Sequence, residues 1–167
     1  DDRSRIELEV VSLMSPELST SVAQRLHRLT IPARLAFVGP HGDFHVAPIW
    51  FLWRHEMFLL CGGAASFKVK EIPKHPRVAL SIDSETVPYG SLRIRGLAEI
   101  EAIDGIPVEY VESAHRYYGN ENGQQWTGWV SSYTSQMARI SVTPDWVQAL
   151  DFRERFSQVF GWSTSLV

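Results

Sequence analysis

The chain has 167 residues, of which 44% are hydrophobic and 21% charged, so it can bury one core and is too apolar for a disordered protein. Its formal net charge of −3 disfavours a nucleic-acid-binding module, which depends on clustered Lys and Arg. The lone Cys61 excludes an internal disulfide framework. No apolar run approaches the ~20 residues that span a bilayer, and the first residues lack the apolar segment of a signal peptide. We therefore expect a single domain over residues 1–167, located in the cytoplasm, with no membrane or nucleic-acid partner.

The first half of the chain predicts one helix followed by strands. Ser15 and Pro16 suit a helix start, and apolar residues at helical spacing predict a helix over about 16–28. From Arg34 onward, short apolar runs alternate with turn residues, which favours a barrel over a doubly wound sheet. The predicted strands are 34–38, 44–53, 57–61, 77–83, 91–101, 137–142 and 146–152. Strand 44–53 is apolar at both alternating sets of positions, as in a strand covered on both faces.

Helices are predicted between and after these strands. A flexible Gly62–Ala65 link precedes a predicted helix over 66–74, which Pro73 and Pro76 end. Asp104 is a candidate cap for a helix that continues to about 118, with Gly119 just after its end. Residues 120–125 are polar and predict a loop, whereas 127–137 favour a helix. The fold class is therefore mainly β (α+β), with strands flanked by helices.

The segment around Ser66 could bind an anion. Ser66 and Lys68 fall in the first turn of the predicted helix, where free backbone N–H groups and the helix dipole favour a phosphate. Lys70, Lys74 and Arg77 could extend a basic groove. A capped surface helix with solvated lysines explains the same residues equally well.

Other common catalytic motifs are missing from the sequence. It contains no Walker-type phosphate loop, no dinucleotide fingerprint and no Gly-x-Ser-x-Gly nucleophile elbow. His41 and His45 flank a predicted turn rather than sharing a helical face, so no metal site is expected. Cys61 has no evident catalytic partner and fits a buried structural residue.

Four motifs, in order, resemble the pyridoxamine 5′-phosphate oxidase-like superfamily of flavin-binding split barrels. They cover about residues 20–102 and are His45-Val46-Ala47-Pro48-Ile49-Trp50-Phe51, Ser66-x-Lys68-Val69-x-x-Ile72, His75-Pro76-Arg77-Val78-Ala79-Leu80 and Leu92-x-Ile94-x-Gly96-x-Ala98-Glu99. The resemblance implies a six-stranded antiparallel split β-barrel that forms a homodimer. Its cofactor, at the dimer interface, would be FMN or, as the alternative, the deazaflavin coenzyme F-420.

The resemblance also implies which residues bind the cofactor. The strand residues Val46, Ala47, Pro48, Ile49 and Trp50 would line the flavin ring, and Cys61 and Gly62 would border the ribityl-phosphate tail. Ser66, Phe67 and Lys68 would form the phosphate-binding segment, where Phe67 replaces an Arg of the family pattern.

The aromatic C-terminal half supplies candidates for a substrate pocket, namely Tyr117, Tyr118, Trp126, Trp129 and Tyr133. The tail lacks the Arg-rich element by which true pyridoxamine phosphate oxidases grip their substrate, so a different small substrate is expected. The resulting hypothesis is an FMN- or F-420-dependent oxidoreductase acting on a small planar or aromatic molecule, with hydride chemistry supplied by the cofactor. A non-catalytic barrel that binds flavin or haem is one alternative, and a dimeric interaction protein without cofactor is another.

Overall fold

The computed structural model describes residues 15–154. The helices are α1 (Ser21–Arg28), α2 (Phe67–Glu71), α3 (Val108–Tyr118) and α4 (Asn120–Tyr133), and short 3-10 turns precede α1 and follow α2. The strands are β1 (Ala33–Val38), β2 (Phe44–Ile49), β3 (Phe51–Arg54), β4 (Met57–Gly63), β5 (Arg77–Asp83), β6 (Gly90–Asp104) and β7 (Gln136–Asp151). Among these residues, no helix is both long and apolar enough to cross a membrane.

All seven strands form one antiparallel sheet in the order β2-β1-β5-β6-β7-β4-β3. β2 and β3 are at opposite ends of this order, yet only Trp50 separates them along the chain. The sheet must therefore curl until its two edges meet at Trp50. Because β2 and β3 do not pair with each other, the resulting barrel is split at this point. The expected mainly β fold with flanking helices is confirmed.

The core fills the concave side of this sheet. Alternate residues of each strand face inward, so Leu35 of β1 is paired with Leu80 of β5, and both are buried. Phe51 and Phe58 are fully buried among these aliphatic side chains, and Leu26 closes the core from α1. The alternation of buried and exposed residues along β5 is the pattern of a strand with one face in the core.

The six strands that the resemblance implied are seven in the structure, because the strand over 44–53 is interrupted at Trp50. The expectation that this strand is covered on both faces was also wrong for its first half. Phe44 is 84% exposed and Val46 is 66% exposed, both on the outward face of β2.

Three further boundaries differ from the predicted ones. The two predicted closing strands are one continuous strand, β7, which accommodates Pro144 at an irregularity opposite Arg95 and Gly96. Asp104 ends β6 rather than capping a helix, and α3 begins after Pro107. The predicted loop 120–125 is the first part of α4, because Gly123 is buried and Trp126 hydrogen-bonds to α3. The predicted single domain spans 1–167, whose ends lie outside the described residues.

Candidate functional site

A cleft of about 340 Å³ opens where the β2–β3 break meets the α3–α4 hairpin. Its volume lies within the range typical of small-molecule sites. It is lined by Pro32, Pro48, Ile49, Trp50, Cys61, Lys68, Tyr110, Ser113 and Trp126. One side of the cleft is thus largely apolar and aromatic, and Lys68 contributes a positive charge.

Trp50 is the centre of the aromatic part of the cleft. Its ring stacks on Tyr117 with the centroids 5.2 Å apart, and it meets Tyr118 edge-on at 5.2 Å. Trp126 approaches it at 6.3 Å and Tyr110 at 5.7 Å. The break between β2 and β3 therefore projects one large ring out of the barrel wall into a cluster supplied by α3 and α4.

Arg116 fixes α3 against the barrel. Its guanidinium donates hydrogen bonds to the carbonyl oxygens of Phe51 (3.0 Å), Leu29 (2.7 Å) and His27. Its charge also lies over the Phe51 ring, 4.8 Å from the centroid. The Tyr117 hydroxyl donates to the Ile31 carbonyl at 3.1 Å. The hydrogen bonds of Arg116 and Tyr117 therefore attach α3 both to the segment between α1 and β1 and to the start of β3.

Ser66 and Lys68 converge at one end of the cleft, above Gly62. A Cβ placed on Gly62 would lie 3.6 Å from both Ser66 Oγ and Lys68 Nζ, and 3.1 Å from Lys68 Cε. Ser66 Oγ is buried with no hydrogen-bond partner among the described residues. The absence of a side chain at position 62 thus leaves a small cradle beside an unused hydroxyl and an ammonium group.

Lys68 carries its charge in a half-buried position. It forms no ion pair within residues 15–154, and burial lowers the pKa of its ammonium group below the ordinary value. An ammonium that lacks a carboxylate partner favours an anionic ligand, which would replace the hydration lost by burial. The short length of α2, five residues, means that these side chains rather than a helix dipole would carry the site.

Cys61 is held in its thiol form. Burial, with the nearby Glu109 carboxylate, raises the pKa of the Cys61 thiol to about 12, although Arg139 opposes this shift. Arg139 is engaged by Glu101 at 2.7 Å and by Glu109 at 2.8 Å. Cys61 therefore offers the cleft a small neutral surface and not a nucleophilic thiolate.

The structure brings together six of the predicted site residues on the cleft wall, namely Pro48, Ile49, Trp50, Cys61, Lys68 and Trp126. Gly62 and Ser66 adjoin its Lys68 end. The remaining predicted residues do not line this cleft in the single chain.

These remaining residues have other surroundings. Val46 faces outward from β2. Phe67 packs against His45 at 4.9 Å between ring centroids. Tyr117 lies under Trp50, and Tyr118 lies edge-on to it. Trp129 is 54% exposed and reaches the cleft only through its contact with Trp126 at 5.2 Å. Ala47 of β2 pairs with Leu35 across the sheet.

The sequence did not point to three lining residues, Pro32, Tyr110 and Ser113. Tyr110 accepts a hydrogen bond from Trp126 Nε1 at 2.8 Å. Tyr110 lies on α3 at helical spacing from Ala114 and Tyr117, and its hydrogen bond from Trp126 of α4 holds it at the cleft.

Of the four cations in the predicted basic groove, Lys74 and Arg77 are paired with carboxylates, so only Lys68 and Lys70 remain unpaired among residues 15–154. Lys74 pairs with Glu71 at 2.8 Å, and Arg77 pairs with Asp145 at 2.8 Å. Within residues 15–154, no group of three or more His, Cys, Asp or Glu side chains is arranged to hold a metal ion.

Comparison with known proteins agrees with this fold. The family profile described as pyridoxamine 5′-phosphate oxidase matches residues 23–151. No curated protein matches the chain. The following solved structures are similar in fold, at identities too low to carry an activity.

An F-420 reductase is 24% identical with a TM-score of 0.59, over 75% of this chain and 94% of that one. A conserved hypothetical protein from Mycobacterium tuberculosis is 17% identical with a TM-score of 0.63, over 93% of this chain and 97% of that one. A haem storage protein from Vibrio cholerae is 11% identical with a TM-score of 0.57, over 77% of this chain and 90% of that one.

Proposed function

The chain belongs to the pyridoxamine 5′-phosphate oxidase family, and from this premise we propose that it is a flavin-dependent oxidoreductase that binds FMN in the described cleft. The proposal depends most on one observation, the convergence of Ser66 Oγ and Lys68 Nζ above Gly62. A phosphate monoester supplies the acceptor oxygens and the negative charge that these two groups lack.

The rest of the cleft suits the flavin ring. Pro48, Ile49 and Trp50 present an apolar wall next to the neutral Cys61 thiol. A planar heterocycle would bury its faces against such a wall at little cost in hydrogen bonds. When bound, the flavin would supply hydride transfer, and this chain would bind and orient it and exclude water.

FMN fits the described charges better than coenzyme F-420. The deazaflavin has a longer anionic tail, for which the sequence offered Lys68, Lys70, Lys74 and Arg77. Two of these cations are already neutralised by Glu71 and Asp145. We keep F-420 as the alternative cofactor because an F-420 reductase shares the fold.

A non-catalytic haem-binding role is less well supported. A haem protein ligates iron with a His, Met, Tyr or thiolate side chain. None of the residues that line the described cleft is His or Met, and Cys61 is protonated. Tyr110 is the one remaining oxygen donor of that type, and burial raises its pKa above the ordinary value.

The function is tested in two steps. Purified protein, freed of any ligand, is titrated with FMN and separately with F-420, and binding is followed by the change in cofactor fluorescence. We expect micromolar or tighter binding of FMN. The FMN complex is then reduced without oxygen and mixed with a planar electron acceptor. Reoxidation no faster than that of free reduced FMN would indicate a binding protein, and failure to bind either cofactor would refute the proposal.

We also propose that the protein is a homodimer with the cofactor at the interface. The outward face of the sheet carries exposed apolar side chains on β2, β6 and β7: Phe44 (84% exposed), Val46 (66%), Leu97 (48%) and Trp146 (38%). The small residues Ala36 and Ala79 form the floor of a shallow groove between these apolar side chains. A contiguous apolar patch of this kind is typical of a protein–protein interface.

Arginine side chains border this face. Arg95 lies over the Trp146 ring at 4.0 Å, and Arg34 and Arg93 lie along the same groove. The face is adjacent to the cleft, because Val46 and Pro48 are neighbouring outward residues of β2. A partner that covered Val46 would therefore also cover one side of the proposed flavin site.

Sedimentation velocity tests the dimer. We expect wild-type protein to sediment as a dimer and Val46→Glu to shift it to monomer. Val87→Glu is the matched control, because Val87 is 62% exposed but lies in the loop between β5 and β6. A monomeric wild type, or equal behaviour of both variants, would contradict this assignment.

A further inference from the structure

The Tyr110 hydroxyl accepts one hydrogen bond but donates none within the described residues. Its oxygen accepts the indole N–H of Trp126 at 2.8 Å. Its own O–H meets no acceptor among residues 15–154. A phenol oxygen can accept and donate at once, so the Trp126 bond fixes the oxygen while leaving the proton free to donate.

This free donor belongs to a residue of the cleft wall. Tyr110 lines the same cleft as Trp50 and Trp126, and its ring centroid is 5.7 Å from that of Trp50. Burial raises the pKa of Tyr110, so the phenol keeps its proton at neutral pH. Lys68, at the phosphate end of the cleft, is also a donor.

The neighbouring Tyr117 differs from Tyr110 in its hydrogen bonding. Tyr117 stacks on Trp50, but its hydroxyl already donates to the Ile31 carbonyl at 3.1 Å. The Tyr117 O–H therefore already has an acceptor in the protein, whereas the Tyr110 O–H has no acceptor in the described part of the chain.

We propose that Tyr110, oriented by Trp126, donates a hydrogen bond to the carbonyl oxygen of a planar conjugated carbonyl substrate. The aromatic wall would recognise the ring of such a substrate, and the phenol would recognise an acceptor oxygen in or near the ring plane. Tyr110 is then a specificity-determining residue and Trp126 a positioning residue. This inference deepens the proposed oxidoreductase function by naming the substrate class.

The test compares two planar bicyclic ligands, of which one carries acceptor oxygens and the other none. 1,4-Naphthoquinone and naphthalene are titrated into oxidised, FMN-loaded protein without reductant, and the dissociation constants are measured by quenching of tryptophan fluorescence. Loss of a neutral hydrogen bond in Tyr110→Phe is expected to lower the preference for the quinone, measured as the ratio of the two dissociation constants, by about 3- to 10-fold relative to wild type. Tyr110→Phe removes only the hydroxyl and should leave naphthalene binding unchanged.

Two further variants make the result specific. Trp126→Phe keeps an aromatic ring but removes the N–H, so it should reduce the preference for the quinone by roughly 2- to 3-fold. Tyr89→Phe is the matched control, because Tyr89 is 48% exposed in the loop between β5 and β6, does not line the cleft and should leave both ligands unaffected.

The outcomes separate this inference from the proposed function. Equal weakening of both ligands by Tyr110→Phe, or an unchanged ratio of their dissociation constants, would overturn the role of Tyr110 even if FMN binds. If the protein takes up no FMN, the flavin proposal fails, and the same titrations on the cofactor-free protein still decide whether Tyr110 selects the quinone.

Discussion

Replacing Lys68 by Met is the most direct test of how this cleft would hold a phosphate. Methionine keeps much of the apolar stem of lysine and removes the charge. Lys68 is half-buried and has no ion-pair partner within residues 15–154, so its ammonium group is available to an anion. The substitution should not leave a protein carboxylate unpaired, which separates its effect on binding from an effect on folding.

The size of the effect follows from the kind of bond that is lost. A hydrogen bond to a charged group contributes about 1.5–3 kcal/mol, which is roughly 10- to 150-fold in a dissociation constant. Lys68→Met should weaken FMN binding by this factor. Riboflavin has the same ring system but no phosphate, so its affinity should change by less than about 2-fold. The ratio of the two affinities therefore reports the phosphate contact alone.

The assay is a fluorescence titration of wild type, Lys68→Met and Lys70→Met with both flavins. Lys70 is exposed two residues further along α2 and provides the matched control. Solvent and salt screen an exposed charge, so Lys70→Met should change the FMN affinity by less than about 2-fold. Equal losses for FMN and riboflavin, or equal effects of the two lysine variants, would refute the assignment of the phosphate to Lys68.

Three further predictions concern stability and are measured by chemical denaturation. Gly96→Ala would place a Cβ 2.2 Å from the Thr143 carbonyl oxygen, so it should lower the free energy of unfolding by about 2–4 kcal/mol, whereas Gly128→Ala, with open space around it, should not destabilise. Arg116→Met leaves three backbone carbonyls without their donor and should cost about 2–4 kcal/mol; a loss below about 0.5 kcal/mol would contradict this role. Burial beside Trp53, together with the Arg116 charge, lowers the pKa of His27 to about 4. Because the unfolded chain then binds a proton that the folded chain does not, stability should fall by about 2 kcal/mol as the pH drops from about 6.5 to about 4. His27→Phe should flatten this part of the pH profile, and an unchanged profile would show that His27 does not cause it.

The strands were predictable because their information is local. Buried and exposed residues alternate along β1, β5 and the first part of β6, and the sequence shows the same alternation. The break at Trp50 is different, since nothing in the continuous apolar run from Phe44 to Trp53 marks it. It arises because β1 and β2 form one hairpin and β3 and β4 form the next, and the two hairpins lie at opposite edges of the sheet. Their positions are set by the long-range pairing of β1 with β5 and of β4 with β7, which leaves no signature at the residue that joins the hairpins.

The residues of the candidate site show the same difference between local and long-range information. Ser66 and Lys68 were found from a short motif, because three consecutive residues are enough to place two polar groups near Gly62. Tyr110 was missed because its position on the cleft depends on α4, and the first turn of α4 is too polar to predict a helix. The bond from Trp126 that gives Tyr110 its orientation spans 16 residues and two helices.

Trp50 links the stability of the barrel to the shape of the cleft, and this limits which substitutions are informative. It is the single residue between the two edge strands, and its ring also stacks on Tyr117 in the cleft wall. Any large change at Trp50 would disturb both, so a loss of binding there could not be assigned to a ligand contact. Lys68 and Tyr110 are held by separate elements, since α2 is followed by the buried Ile72 and α3 is held by Arg116. A variant of either residue that loses its predicted ligand preference at unchanged unfolding free energy therefore identifies a binding contact rather than a fault in the fold.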